Sequence, residues 1–292
     1  MAGLVLASLF AGQSAPMARH LEKLDRGVVA VRTGAHEAFI SWRLLGTDPS
    51  GLAFNVYRGA TKLNAAPLTG ATNFTDKAAT AEAYSVRPVL NNAEQPAPAS
   101  TPAWAQPYLR IPLQQPAGGT TVDGGTYTYT ANDASAADLD GDGQYELVLK
   151  WDPSNSRDNG SAGVTGPVLL DAYRLDGTRL WRIDLGKNIR AGAHYTQFLV
   201  YYFDGDGRAE LACKTADGTV DGAGKTLGDA SKDYRSLLTP TDAPAVPNTR
   251  DARYGRILAG PEYFTVFDGR TGAALASAPY VPGRDPIDGW GG

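Results

Sequence analysis

Between about residues 25 and 105, apolar and polar residues alternate with a period of two in short runs. They are Gly27-Val-Val-Ala-Val-Arg32, Glu37-Ala-Phe-Ile-Ser-Trp-Arg43, Ala53-Phe-Asn-Val-Tyr-Arg58, Asn73-Phe-Thr-Asp76 and Ala83-Tyr-Ser-Val-Arg-Pro-Val89. Such runs predict half-buried strands, and turn residues such as Asp48-Pro-Ser-Gly51 separate them. Closely spaced strands with turn signals between them predict a small β-sandwich over residues 22–105. The zone closes on Gln95-Pro-Ala-Pro-Ala-Ser-Thr-Pro102, which reads as a stiff linker. Beyond residue 106 the pattern is again β, now organised by repetition. Asp140-Gly-Asp-Gly-Gln-Tyr-Glu146-Leu-Val-Leu-Lys150 returns 64 residues later as Asp204-Gly-Asp-Gly-Arg-Ala-Glu210-Leu-Ala-Cys-Lys214. A strand, an Asp-Gly turn and a second strand in Val168–Trp181 are echoed in Tyr263–Leu275.

The first zone's Trp42 run and its Val56-Tyr57-Arg58 run resemble the B and C strands of a fibronectin type III domain. Repeating hairpins without a helical period predict propeller blades for residues 106–292, so the fold class expected is all-β. At a period of 64, the residues from 120 onward make fewer than three blades, whereas closed propellers have at least four. The ring cannot close within the chain, and Asp285–Gly292 is turn-like, so the chain is read as the N-terminal part of a longer protein or a truncated product. Open strand edges and blade faces then favour self-association, while the whole protein is expected to be a monomer.

Composition narrows the function. The formal charge is -4 and Lys and Arg form no run, which removes the electrostatic footprint of a nucleic-acid binder. Cys213 is the only cysteine, so there is no internal disulfide, and with His20, His36 and His194 it offers no zinc constellation. The apolar Met1–Ser14 stretch, with small residues behind it and no basic residue in front, reads as the remnant of a secretory signal over residues 1–21. It is too short to span a bilayer, so a secreted protein without a membrane partner is expected.

Any metal would bind oxygen. Asp138-Leu-Asp140-Gly-Asp142-Gly-Gln144-Tyr-Glu146 sets carboxylates at positions 1, 3, 5 and 9, with Gly at 6 and the Gln144 carbonyl at 7. These are the oxygens Ca²⁺ takes. An EF-hand would need a Glu at position 12, where Leu149 stands, so this is a calcium loop in β context. The bland reading is an empty acidic turn, opposed by the mutual repulsion of four acids without a cation. The second copy places Asp204, Asp206, Glu210 and the Arg208 carbonyl in the same spacing, but Tyr202 occupies position 1. Asp217-Gly-Thr-Val-Asp221 reads as a turn first.

Longer stretches carry a family resemblance. Arg26–Arg32, Ser41–Asp48, Ala131–Ser135, Lys150–Ser156, Leu180–Gln197 and Lys214–Thr219 resemble the rhamnogalacturonan lyases of polysaccharide lyase family 11, over residues 22–290. The resemblance implies a secreted enzyme acting on the pectic polymer rhamnogalacturonan I. It implies an eight-bladed, calcium-rich propeller preceded by a fibronectin-like segment, of which this chain covers about the first half. Tyr202 departs from the family pattern, and Leu237–Arg250, with three prolines, reads as an insertion.

The chemistry so implied is β-elimination, in which a base takes the C5 proton of galacturonate and the bond to O4 breaks. A cation on the carboxylate stabilises the developing anion. Lys150, Arg190, His194 and Lys214 are the candidate bases within the propeller zone, and a structural role is the simpler reading of Lys150, His194 and Lys214. Asn155 and Asn159, in a polar loop after a strand, and His194 are the candidate substrate contacts. The catalytic groups themselves are expected beyond Gly292. The competing reading is a non-catalytic, calcium-stabilised module that binds polysaccharide; a generic integrin-like repeat ranks last.

Overall fold

The computed structural model describes residues 25–96, 99–158, 161–192, 196–237 and 253–284. Every regular element among them is a strand, so the chain is all-β as its period-two patterning predicts. No helix among the described residues is long and apolar enough to cross a membrane.

The first eight strands are β1 (Val29–Gly34), β2 (Glu37–Ser41), β3 (Ala53–Arg58), β4 (Thr61–Lys62), β5 (Asn73–Asp76), β6 (Tyr84–Leu90), β7 (Ala93–Glu94) and β8 (Ala103–Trp104). They form two four-stranded sheets, β5-β2-β1-β8 and β4-β3-β6-β7. Alternation puts Ala30, Ala38 and Ile40 of one sheet and Phe54, Val56, Tyr84 and Val86 of the other into one core. Trp42 meets Phe54 edge to face at 5.4 Å. Buried Asn64 serves backbone groups that the pairing leaves over, accepting from Val56 N at 2.7 Å and donating to Phe54 O at 3.1 Å and Ala66 O at 2.8 Å. The end of the Pro/Ala stretch is tied into this unit: Thr101 exchanges two 2.8 Å backbone bonds with Tyr84, and β8 pairs in parallel with β1.

The second part begins with the hairpin of β9 (Gly119–Thr120) and β10 (Thr126–Tyr127). Two antiparallel meanders follow. One comprises β11 (Tyr129–Ala137), β12 (Glu146–Pro153), β13 (Leu169–Tyr173) and β14 (Arg179–Asp184). The other comprises β15 (Phe198–Tyr201), β16 (Glu210–Ala216), β17 (Glu262–Phe267) and β18 (Ala274–Pro279). Both acidic loops therefore join strands one and two of a sheet, and both Asp-Gly turns join strands three and four, as the repeat predicts. Between strands two and three the second sheet carries the longer connection, and the predicted insertion at 237–250 falls there, outside the described residues except for Leu237.

The sheets share a core in which Val148, Leu170, Ala172, Trp181 and Ile183 of the first pack with Leu211, Cys213 and Phe267 of the second. Trp181 Nε1 donates to Gly269 O at 2.7 Å, tying β14 to the β17–β18 turn. On the first sheet's other face, Tyr129, Leu149, Trp151, Leu169 and Tyr173 form a separate cluster. The fully buried Asp171 lies at its polar centre. It accepts from Trp151 Nε1 at 2.8 Å, Tyr173 Oη at 2.7 Å and two Arg182 nitrogens at 2.7 Å each.

Candidate functional site

The first acidic loop leaves β11 at Asp138 and enters β12 at Glu146. Asp138 is fully buried and caps the turn: its two carboxylate oxygens accept from Gly141 N at 2.7 Å and Gly143 N at 2.9 Å. Gly141 and Gly143 sit at φ of 82° and 90°, the left-handed region the sharp turn requires. Glu146, also buried, accepts from Leu139 N at 2.9 Å across the base of the loop. Asp138, Asp140 and Glu146 can each present a ligand atom within 4.8 Å of the others. Asp142 stands outside that trio and holds the loop, accepting from Gln144 N at 2.7 Å.

The second loop repeats this construction. Glu210 accepts from Phe203 N at 2.7 Å, and Asp204, Asp206 and Glu210 form the equivalent trio. Arg208 N donates to Asp206 Oδ1 at 2.8 Å, and the Arg208 guanidinium pairs with the same carboxylate. Tyr202 has a different task from Asp138. Its ring joins the shared core, and its hydroxyl accepts from Asp138 N at 3.2 Å. Ala209 N also donates to Asp138 O at 2.9 Å, so the loops lie side by side and brace each other.

Burial pushes Glu146 up to about 7, and Asp140, Asp142 and Asp138 add to the rise against the single opposing bond from Leu139. Burial likewise raises Glu210, with Asp204 and Asp206 adding. Two buried carboxylates that resist ionisation, each beside further carboxylates, are what a hard divalent cation would relieve. The donor sets fit a hard cation such as calcium: Asp138, Asp140 and Glu146 in one loop and Asp204, Asp206 and Glu210 in the other. The third acidic turn is a turn: Asp221 accepts from Ala223 N at 3.0 Å, Lys225 N at 2.8 Å and Ala274 N at 3.0 Å.

The basic residues are engaged. Lys150, buried between the sheets, pairs with Asp133 at 2.7 Å. Its repeat equivalent Lys214 pairs with Glu262 at 2.8 Å, and Glu262 also holds Arg284 at 2.9 Å. Arg190 donates to the carbonyls of Asp158 at 3.3 Å, Gly163 at 3.2 Å and Ser161. Burial drives the Cys213 thiol up to about 12, so it is no nucleophile. Asn155 uses its side-chain oxygen to accept from Gly166 N at 2.9 Å. Asn159 and His194 lie outside the described residues.

Sequence reasoning missed Asp171 and Asn188. Fully buried Asn188 donates to Asp217 O at 2.8 Å and Lys232 O at 3.0 Å and accepts from Tyr234 N at 2.9 Å. The one available signal was a polar side chain inside an apolar run, as in Leu169-Leu-Asp-Ala-Tyr173.

A family model described as "Rhamnogalacturonan lyase family 11, C-terminal domain" matches residues 108–292. Another, "Rhamnogalacturonan I lyases beta-sheet domain", matches residues 19–104. Rhamnogalacturonan endolyase YesW of Bacillus subtilis (strain 168) is 57% identical over 275 residues, which is 94% of this chain and 42% of that protein. Rhamnogalacturonan exolyase YesX of the same organism is 50% identical over 277 residues, with the same two coverages. The solved structure of the Bacillus licheniformis rhamnogalacturonan lyase PL11 matches with a TM-score of 0.85 at 57% identity, covering 94% of this chain and 44% of that one. The chain spans about two fifths of the length of the curated relatives it matches.

Proposed function

Because the chain belongs to rhamnogalacturonan lyase family 11, we propose that it is part of a secreted enzyme that cleaves the pectic polymer rhamnogalacturonan I by β-elimination, with calcium as its cofactor. The observation that carries this reading is identity of 50–57% to an exolyase and an endolyase across 94% of the chain. In the elimination, the electrons of the C5–H bond become the C4=C5 double bond of an unsaturated uronate as the C4–O4 bond breaks. The leaving oxygen takes a proton.

We further propose that residues 22–105 are a fibronectin type III-like sandwich and that the two meanders are the first blades of an eight-bladed propeller. Repeat symmetry supports the blades. Ala137, Val148 and Lys150 of the first sheet are buried against the second, whereas their equivalents Tyr201, Ala212 and Lys214 belong to the face of the second sheet turned away from the first. Calcium in the two loops would neutralise the clustered carboxylates and fix the loops, and this chain's own residues supply the donors named above.

A second reading, a calcium-stabilised module that binds the polymer without cutting it, is favoured by one observation: Lys150, Arg190 and Lys214 are all committed to structural partners. Incubation with rhamnogalacturonan I in calcium separates the two. Rising ultraviolet absorbance from unsaturated product supports cleavage by this chain, and binding without that rise supports the module.

A further inference from the structure

A cleft of about 370 Å³ opens between the two meanders, at the ends of the strands opposite the acidic loops. Four segments wall it: the β9–β10 hairpin, residues 165–167 before β13, the turn after β14, and the long connection after β16. Its size falls in the range of small-molecule sites, which combine a shaped wall with a few convergent polar groups.

The cleft is built. Gly186, at φ of 78°, approaches the opposite backbone so closely that a Cβ there would stand 2.7 Å from Gly218 O. Neither glycine puts a side chain into the space between them. Asn188 pins the residue 232–234 segment against this floor, and Asn155 pins the opposite wall through Gly166. The hydrogen-bonding groups along the walls are mostly hydroxyls, among them Thr165, Thr226 and Tyr127. Asp184 also lines the cleft, with one carboxylate oxygen accepting from Gly186 N at 2.8 Å.

The two cations differ. Arg235 is clamped by Asp233 through contacts of 2.9 and 2.6 Å, so its charge is locally balanced. Lys187 is half-buried on the same wall; its charge also acts on Asp233, but it makes no ion pair among the described residues. A hydroxyl-lined cleft with one ammonium outside any ion pair suits a polyol bearing one carboxylate.

We infer that this cleft binds a uronate-bearing segment of polysaccharide, with Lys187 meeting the sugar carboxylate and the threonine hydroxyls meeting the ring oxygens. The ligand class rests on the rhamnogalacturonan reading above; the location rests on the cleft alone. Burial raises Asp184 above the ordinary carboxylate value.

The test is titration calorimetry on the 292-residue chain in calcium, with two probes: a saturated rhamnogalacturonan oligosaccharide and the same oligosaccharide with its carboxyl groups reduced. Lys187→Gln removes the cation, and Thr226→Trp, at an exposed position, fills the cleft. The expected result is at least tenfold weaker binding of the native probe by Lys187→Gln with its affinity for the reduced probe unchanged. Thr226→Trp should lose both probes, and both variants should melt with the wild type. Unchanged binding in both variants overturns the cleft while leaving the substrate reading intact. Equal weakening of both probes by Lys187→Gln overturns the carboxylate contact. A wild-type chain that binds neither probe overturns the cleft and the substrate reading together.

Discussion

At the scale of single residues, a few buried carboxylates are held by several partners at once. Asp171 is the extreme case, since Trp151, Tyr173 and Arg182 all converge on it. Removing one partner of a buried pair costs about 3–5 kcal/mol. Asp171→Ala should fall near the lower end of that range, because Arg182 keeps some contact with water. Asp171→Asn, which retains acceptor capacity, should cost less; denaturant melts of the two variants check the order. In the first unit, the hydrogen bond from Arg26 holds Asp48 below its ordinary value of 3.8. At Asp76 burial pushes upward, but the Ala78 amide, Arg58 and Tyr84 outweigh it, and the group also ends below 3.8. A carboxylate with a depressed folded-state value contributes stability that is complete above its unfolded value and is lost as pH falls through the folded one. Acid unfolding of the first unit should therefore steepen below about pH 3.8. Arg26→Gln together with Arg58→Gln should move the transition to higher pH, as followed by Trp42 fluorescence.

At the scale of elements, local pattern was a sound guide wherever one strand pairs with its neighbour in sequence. The alternation in Glu37–Arg43 and the Asp-Gly turns at Asp176 and Asp268 reappear as strands and hairpins because nearest-neighbour pairing needs only local information. What pattern could not reveal was non-local. Thr101 bonds to Tyr84, and Ala103 pairs in parallel with Ala30, so part of a stretch that reads as linker is held by a strand edge offered from far away. Tyr202 is similar: in sequence it is a missing ligand, and in three dimensions it is a core side chain that braces the neighbouring loop. The loops invite a test with a sign. Calcium at a hundredfold excess over its dissociation constant stabilises a one-site fold by about 2.7 kcal/mol. The melting temperature should thus rise with calcium and fall with EDTA. Glu146→Gln keeps an acceptor for Leu139 N while removing a costly buried charge, so it should melt at or above the wild type in EDTA and below it in calcium. A variant that melts below the wild type equally in both media would deny the loop its cation.

At the scale of the whole molecule, the repeat predicts a surface property. The first meander buries Ala137, Leu170, Ala172 and Ile183 against the second, and the matching face of the second meander carries Leu199, Tyr201 and Phe264, which are 61%, 51% and 41% exposed. Large apolar side chains left exposed on one sheet face favour its burial against another surface. The opposite, outer face of the first meander cannot serve as a second copy's complement, because its aromatic cluster is covered: Gln115 Nε2 donates to Tyr129 O at 2.6 Å, and Pro112 lies against Gly177. Head-to-tail stacking into filaments is thereby disfavoured, and pairing of like faces about a two-fold axis remains. The 292-residue chain should accordingly show a concentration-dependent monomer–dimer equilibrium in analytical ultracentrifugation. Leu199→Lys with Phe264→Lys should hold it monomeric at all concentrations without lowering its melting temperature, since both side chains already face water in the monomer. Dimers that persist in the double variant would move the interface to another surface, and open-ended aggregation that the variant fails to suppress would favour exposed strand edges over this face.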